Sequence, residues 1–171
     1  MYLSMFCSTL DNIPQFALPD GYTMRRYQTG DIRHWLDFHI PLFDKGDITE
    51  SLFWREYGRD ETVIIQRQFY MMHGEQVIGS ISAWFGDEER CKQLGRIHWV
   101  VLHEGYRGKG LSKPLLSFAM NKLKELGHTQ AYLTTDTELV PAINLYMKFG
   151  FQPEIDSDEL QTAWDDLVKC S

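Results

Sequence analysis

The succession of apolar periods along this chain predicts a mixed α/β fold, and three observations carry that reading. Short runs rich in β-branched and aromatic residues alternate with stretches whose apolar residues recur at helical spacing. One junction between the two kinds, Gly105-Tyr106-Arg107-Gly108-Lys109-Gly110, is a glycine-rich turn between a strand and a helix. The 171 residues are 43% hydrophobic and 13% aromatic, which supports one domain with a substantial core and excludes a disordered chain.

Residues 1–19 contain Pro14 and Pro19, show no clear period and are expected to form an N-terminal arm. Tyr22 to Tyr27 reads as a strand, and Gly30-Asp31 marks entry to a helix with Asp31 as N-cap. Ile32, Trp35, Leu36 and His39 share one face of that helix before Pro41 ends it. A second helix is expected from Ser51 to about Tyr57, its aromatic residues being either core or the wall of a pocket. Val63 to Met72 and Val77 to Phe85 flank the turn-like His73-Gly74-Glu75-Gln76 and predict a β-hairpin. Asp87 to Gln93 is charged and reads as a solvated loop.

Ile97 to Leu102 predicts a buried strand. Leu111 to Leu126 is apolar at Leu115, Leu116, Ala119, Met120, Leu123 and Leu126, a helical period stopped by Gly127. Pro114 is tolerated near the helix start, where N–H groups have no intrahelical partner. Ala131 to Thr135 reads as a strand, and Pro141 to Phe149 as a short helix closed by Gly150. Phe151 begins a last strand, and residues 156–171 form a tail or short helix. The expected domain covers residues 20–155.

Seventeen basic and 24 acidic residues give a net charge of −7, which argues against general nucleic-acid binding. Cys7, Cys91 and Cys170 are scattered and odd in number, so neither a disulfide framework nor a zinc site is expected. The six histidines lack metal spacing, and no metal is expected. No run approaches the ~18–20 apolar residues of a membrane span, and residues 1–10 lack the basic start of a signal peptide. The expected setting is reducing and cytoplasmic, for a monomer or homodimer.

The strand–glycine turn–helix junction suits phosphate. Glycines let backbone N–H groups converge on an anion, and the helix start adds unpaired donors and its positive dipole end. Arg107 and Lys109 can add ionic contacts. A nucleoside-triphosphate loop would need four residues between glycines followed by Lys-Ser/Thr, which is absent. A dinucleotide fingerprint would need a third glycine where Lys113 stands.

The spacing of Gly108 and Gly110 resembles the pyrophosphate loop of the GCN5-related N-acetyltransferases, with Gly105 where that family often has Gln or Arg. A second segment, Pro141-Ala142-Ile143-Asn144-Leu145-Tyr146-Met147-Lys148-Phe149-Gly150-Phe151, resembles the family's C-terminal helix, about forty residues downstream. The resemblance is strongest from Gly95 to Phe151.

It implies a central, mostly antiparallel twisted sheet of about six to seven strands flanked by helices. It further implies transfer of acetyl from acetyl-CoA to an amine. The pyrophosphate would sit on amides from about Gly105 through Tyr106, Arg107, Gly108, Lys109 and Gly110 to Leu111. Ser112 would reach a phosphate or cap the helix. The pantetheine arm would run along Val100, Val101 and Leu102, with a backbone N–H near Val101 or Leu102 polarising the carbonyl. Tyr146 would protonate the departing thiolate, and Asn144 would bind backbone or cofactor or face solvent.

His98 is the first candidate for the base, because imidazole titrates near neutrality and the strand before the loop often carries the family's base. Glu104 and Asp136 are weaker candidates, and water is the remaining alternative. Strand alternation would put His98, Val100 and Leu102 on one face and Trp99, Val101 and His103 on the other. Cys91 in a charged loop argues against an acyl-cysteine route, so direct transfer is expected, and the aromatic content of residues 35–57 favours a pocket for a small-molecule primary amine. A protein acceptor and a non-catalytic acyl-CoA-binding module are the alternatives.

Overall fold

The computed structural model describes residues 1–43, 46–86 and 94–169. The charged stretch Asp87 to Gln93, with Cys91, and the third cysteine, Cys170, lie outside them. Among the described residues, seven strands form one sheet: β1 Tyr2–Cys7, β2 Tyr22–Arg26, β3 Gln68–His73, β4 Gln76–Phe85, β5 Leu94–Leu102, β6 Gln130–Asp136 and β7 Gln152–Pro153. Six helices flank it there: α1 Ile32–His39, α2 Glu50–Tyr57, α3 Glu61–Arg67, α4 Ser112–Glu125, α5 Val140–Lys148 and α6 Asp158–Lys169. The strand order is β2-β3-β4-β5-β6-β1-β7, antiparallel throughout except for the β5–β6 pair.

Two segments differ from expectation. The supposed arm contributes β1, where Leu3, Met5 and Cys7 are buried and alternate with more exposed neighbours, and pairs with β6 from Tyr2↔Asp136 to Cys7↔Ala131. The first half of the expected strand Val63 to Met72 is instead α3. Asp60 caps that helix by accepting the Thr62 N–H at 3.0 Å, and burial of Ile64 overrides the β-branched run Thr62-Val63-Ile64-Ile65. Asp31 does precede α1, but its side chain does not cap it. It accepts the Gln28 N–H at 2.7 Å and pairs with Arg25 at 3.0 Å.

Two cores form on the sheet. The larger joins α4 and α5 to Leu3, Met5, Phe69, Met71, Ile81, Ile97 and Leu133, with Leu160 and Leu167 of α6 added. The smaller packs Trp35 of α1, Phe53 and Tyr57 of α2 and Ile64 of α3 against Tyr70 and Trp84. Phe69 and Met71 in one core with Tyr70 in the other is the period-2 alternation of β3. Gly95 permits close approach of α4, since a Cβ there would lie 2.5 Å from Leu123 Cδ2. Among the described residues, no helix is long and apolar enough to cross a membrane.

The sheet parts at its centre. β5 pairs with β6 only at Leu94↔Gln130, Gly95↔Ala131 and Arg96↔Tyr132, whereas its pairing with β4 continues to Gly79↔Leu102. Opposite Ile81, between the Ser80↔Val101 and Ser82↔His98 pairs, β5 carries the two residues Trp99 and Val100. That is a β-bulge, and it bends the strand. Trp99 has φ +48, an uncommon backbone for a bulky residue. The bulge overturns strict alternation: Trp99 packs beside His98 toward the smaller core, while Val100 packs on the larger.

Candidate active site

The gap between β5 and β6 opens into a cavity of about 550 Å³. Val100, Val101 and Leu102 form one wall, and Pro141, Ala142, Asn144, Leu145 and Tyr146 of α5 the other. Arg107, Gly108, Gly110 and Ser112 close one end, with Lys113 and Lys148, while Leu42 and Leu139 complete the lining.

The loop is built in two parts. A 3-10 turn over Glu104–Tyr106 uses up the first amides: Gly105 N–H donates to His103 Nδ1 at 3.2 Å, Tyr106 N–H to the His103 carbonyl at 2.9 Å, and Arg107 N–H to the Glu104 carbonyl at 3.1 Å. Gly108 and Gly110 then take φ +74 and +76, a backbone that favours glycine. Among the described residues, the N–H groups from Gly108 to Lys113 have no acceptor. The run of unpaired amides thus starts at Gly108, not Gly105, and extends into the first turn of α4.

Four expected cofactor residues are not part of the cavity lining. The Tyr106 hydroxyl pairs with His73 Nδ1 at 3.0 Å and donates to Gln76 Oε1 at 3.2 Å. Lys109 lies over the Tyr106 ring at 4.7 Å, Leu111 is 2% exposed in the larger core, and Gly105 belongs to the 3-10 turn. Arg107 Nε donates to the Leu102 carbonyl at 3.2 Å, tying the loop to the strand end.

Tyr146 lines the cavity, and burial pushes its phenol up to about 12, so it keeps its proton at neutral pH. His98 lies outside the cavity lining, on the α2 side of the sheet, 3.0 Å from Glu56 Oε2 through Nε2. Trp99 Nε1–H donates to the same oxygen at 3.3 Å. These donors, His98 first, hold the Glu56 carboxyl below the usual carboxylate range. Asp136 accepts the Glu138 N–H at 3.0 Å, and neither it nor Glu104 lines the cavity.

Sequence reasoning missed Glu56, Lys113 and Lys148. Lys148 carried a signal, since it lies one turn beyond Asn144 on the same helix. Glu56 carried none, because it meets His98 only through packing of α2 across 42 residues of chain.

Comparison with known proteins agrees with this geometry. The model of the acetyltransferase (GNAT) family matches residues 31–151, well over half of the chain, and the protein belongs to that family. A mycothiol acetyltransferase of Streptomyces scabiei is 27% identical over 139 residues, covering 79% of this chain and 44% of its own length. N-acetyltransferase 8B of Rattus norvegicus is 35% identical over 81 residues, covering 46% and 36%. A GCN5-related N-acetyltransferase from Sphaerobacter thermophilus superposes with a TM-score of 0.71 at 19% identity, over 90% of this chain and 48% of that one. The chain spans less than half the length of these curated relatives. The sheet, its single parallel pair and the flanking helices are those of a GNAT fold.

Proposed function

We propose that the protein transfers acetyl from acetyl-CoA to a primary amine of a small molecule by direct attack. The observation that carries this reading is the cavity itself, which joins the unpaired amides that begin at Gly108 to the Tyr146 side chain along the open edge of β5. Acetyl-CoA supplies the activated thioester. Gly108 to Lys113 amides and the α4 dipole would hold its pyrophosphate, and the free edge of β5 would pair with its pantetheine amides.

A backbone N–H at Val101 or Leu102 would stabilise the charge that develops on the carbonyl oxygen. Tyr146 would give its proton to the departing sulfur. Its raised value would be a poor match for a thiol in water near ~8.5, but burial raises a thiolate formed beside it as well. His98, held by Glu56, would take the proton lost by the amine. The aromatic packing of Trp35, Phe43 and Trp99 on the α1–α2 side favours a small acceptor over an extended peptide.

Free-thiol release is the test. Release from acetyl-CoA that depends on an added amine supports the proposal, whereas release independent of every amine offered, or tight binding with no release, refutes it.

A further inference from the structure

We propose that the acceptor is a monoamine with an apolar body and no second charge, its hydrocarbon seated on Leu42, Phe43 and Leu139, an inference that rests on the acetyl-transfer reading above. Four of the eight large apolar side chains exposed among the described residues belong to two segments beside the cavity, Ile40, Leu42 and Phe43 in one and Leu139 in the other. Each is between 45% and 54% exposed. Single exposed apolar residues need no explanation, but a group of them around one cavity marks a place that receives apolar surface. Leu42 reaches the cavity from the 3-10 turn Ile40–Leu42 that follows α1, and Leu139 from the position just before α5. Pro41 fixes the backbone of that turn, in which no residue is buried. Phe43 continues the surface. Its ring centroid lies 5.7 Å from that of Trp99, which lies 4.9 Å from that of the buried Trp35. The wall is thus ordered before anything rests on it.

Charge narrows the class. The charged groups of the lining are the cations Arg107, Lys113 and Lys148, and no carboxylate lines the cavity among the described residues. Arg107 and Lys113 bracket the unpaired amides, where the cofactor's own phosphates would lie. Lys148 ends α5, whose length puts it roughly 13 Å from Leu139 at the other end. A second ammonium on the acceptor would meet only cations here, and a carboxylate or phosphate would compete with the cofactor for the same ones. An uncharged hydrocarbon body is what Leu42, Phe43 and Leu139 accept. In the transfer, the amine nitrogen bonds the acetyl carbon and the C–S bond breaks. The proton that nitrogen loses is balanced by the one that sulfur gains.

The test is thiol release from acetyl-CoA with propylamine, hexylamine, 1,6-diaminohexane and 6-aminohexanoate as acceptors. The first two share a basicity, so their ratio reads packing, and the last two add one charge to the hexyl chain. Hexylamine is expected to exceed propylamine in kcat/KM by about 10-fold or more, at about 2- to 4-fold for each added methylene. It is expected to exceed the diamine and the amino acid by a similar factor. In Leu42→Ser, Phe43→Ser and Leu139→Ser the hexylamine-to-propylamine ratio should shrink, and because it is read within each variant a general loss of activity cancels. A wild-type ratio near one, a diamine or amino acid used as well as hexylamine, or a ratio unchanged in all three variants overturns the inference. Release with charged amines but not with hexylamine overturns it too, while acetyl transfer stands. Release with no amine at all overturns the transfer reading itself.

Discussion

His39 makes acid stability a quantitative test of the packing around the bulge. It is 2% exposed, and its Nδ1–H must donate to the Trp35 carbonyl, 2.7 Å away. That bond fixes the tautomer and leaves Nε2 as the bare nitrogen, which has no partner among the described residues. The ring centroids of Trp35 and Trp99 lie 4.6 and 5.0 Å from that of the imidazole. Burial, only partly offset by the Trp35 bond and reinforced by nearby His98, pushes the imidazole from 6.5 to about 4. The folded state therefore binds fewer protons than the unfolded chain between those values. Stability is present above pH 6.5 and is lost as pH falls toward 4. About 2.5 units at 1.36 kcal/mol each give roughly 3 kcal/mol, or about 6–12 °C in midpoint for a domain this size. Denaturant titrations of wild type and His39→Phe at pH 7 and pH 4 isolate the effect, because the carboxylates titrate in both proteins. The wild type is expected to lose about 3 kcal/mol more than the variant over that interval. Parallel losses would refute the reasoning.

Three further outcomes are expected. Tyr146→Phe keeps the ring and the packing against Phe151, and should lower turnover by about 10²- to 10⁴-fold with little change in the KM for acetyl-CoA, as steady-state kinetics would read. Glu56→Gln removes the negative charge facing His98, so the acid limb of the kcat/KM profile should move to lower pH, and His98→Ala should abolish that limb. Gly95→Ala would press a Cβ within 2.5 Å of Leu123 Cδ2 and 3.1 Å of His128 Cγ, and should cost about 1–3 kcal/mol in urea denaturation.

What was legible in the sequence was local. Gly108 and Gly110 announce their positive φ because few other residues accept it, and the apolar period of Leu115 to Leu123 predicts α4 from its own spacing. Tyr146 could be placed because its helix carries proline at one end and glycine at the other. The rest depends on partners far along the chain. Leu3, Met5 and Cys7 alternate plainly, but only β6 turns that alternation into a strand. Thr62 to Ile65 has strand-forming residues and becomes helical because Ile64 fits the smaller core. The bulge at Trp99 is set by register against Ser80 and Ser82, and it moves Trp99 to the His98 side. Glu56 enters through the same tertiary packing.

The place of β1 has a consequence for synthesis. Its ladder partners are Ala131 to Asp136, and Pro153 and Gln152 flank it on the other edge. As the chain leaves the ribosome, Leu3 and Met5 emerge ahead of the other strands and wait for more than a hundred residues before their ladder partners appear. Such distant pairing closes slowly. Removing residues 2–7 would leave β6 and β7 with an empty lane between them, so the half of the sheet that carries one lip of the cleft would lose its backing. Of the strands in this sheet, the one made earliest waits longest for its seat.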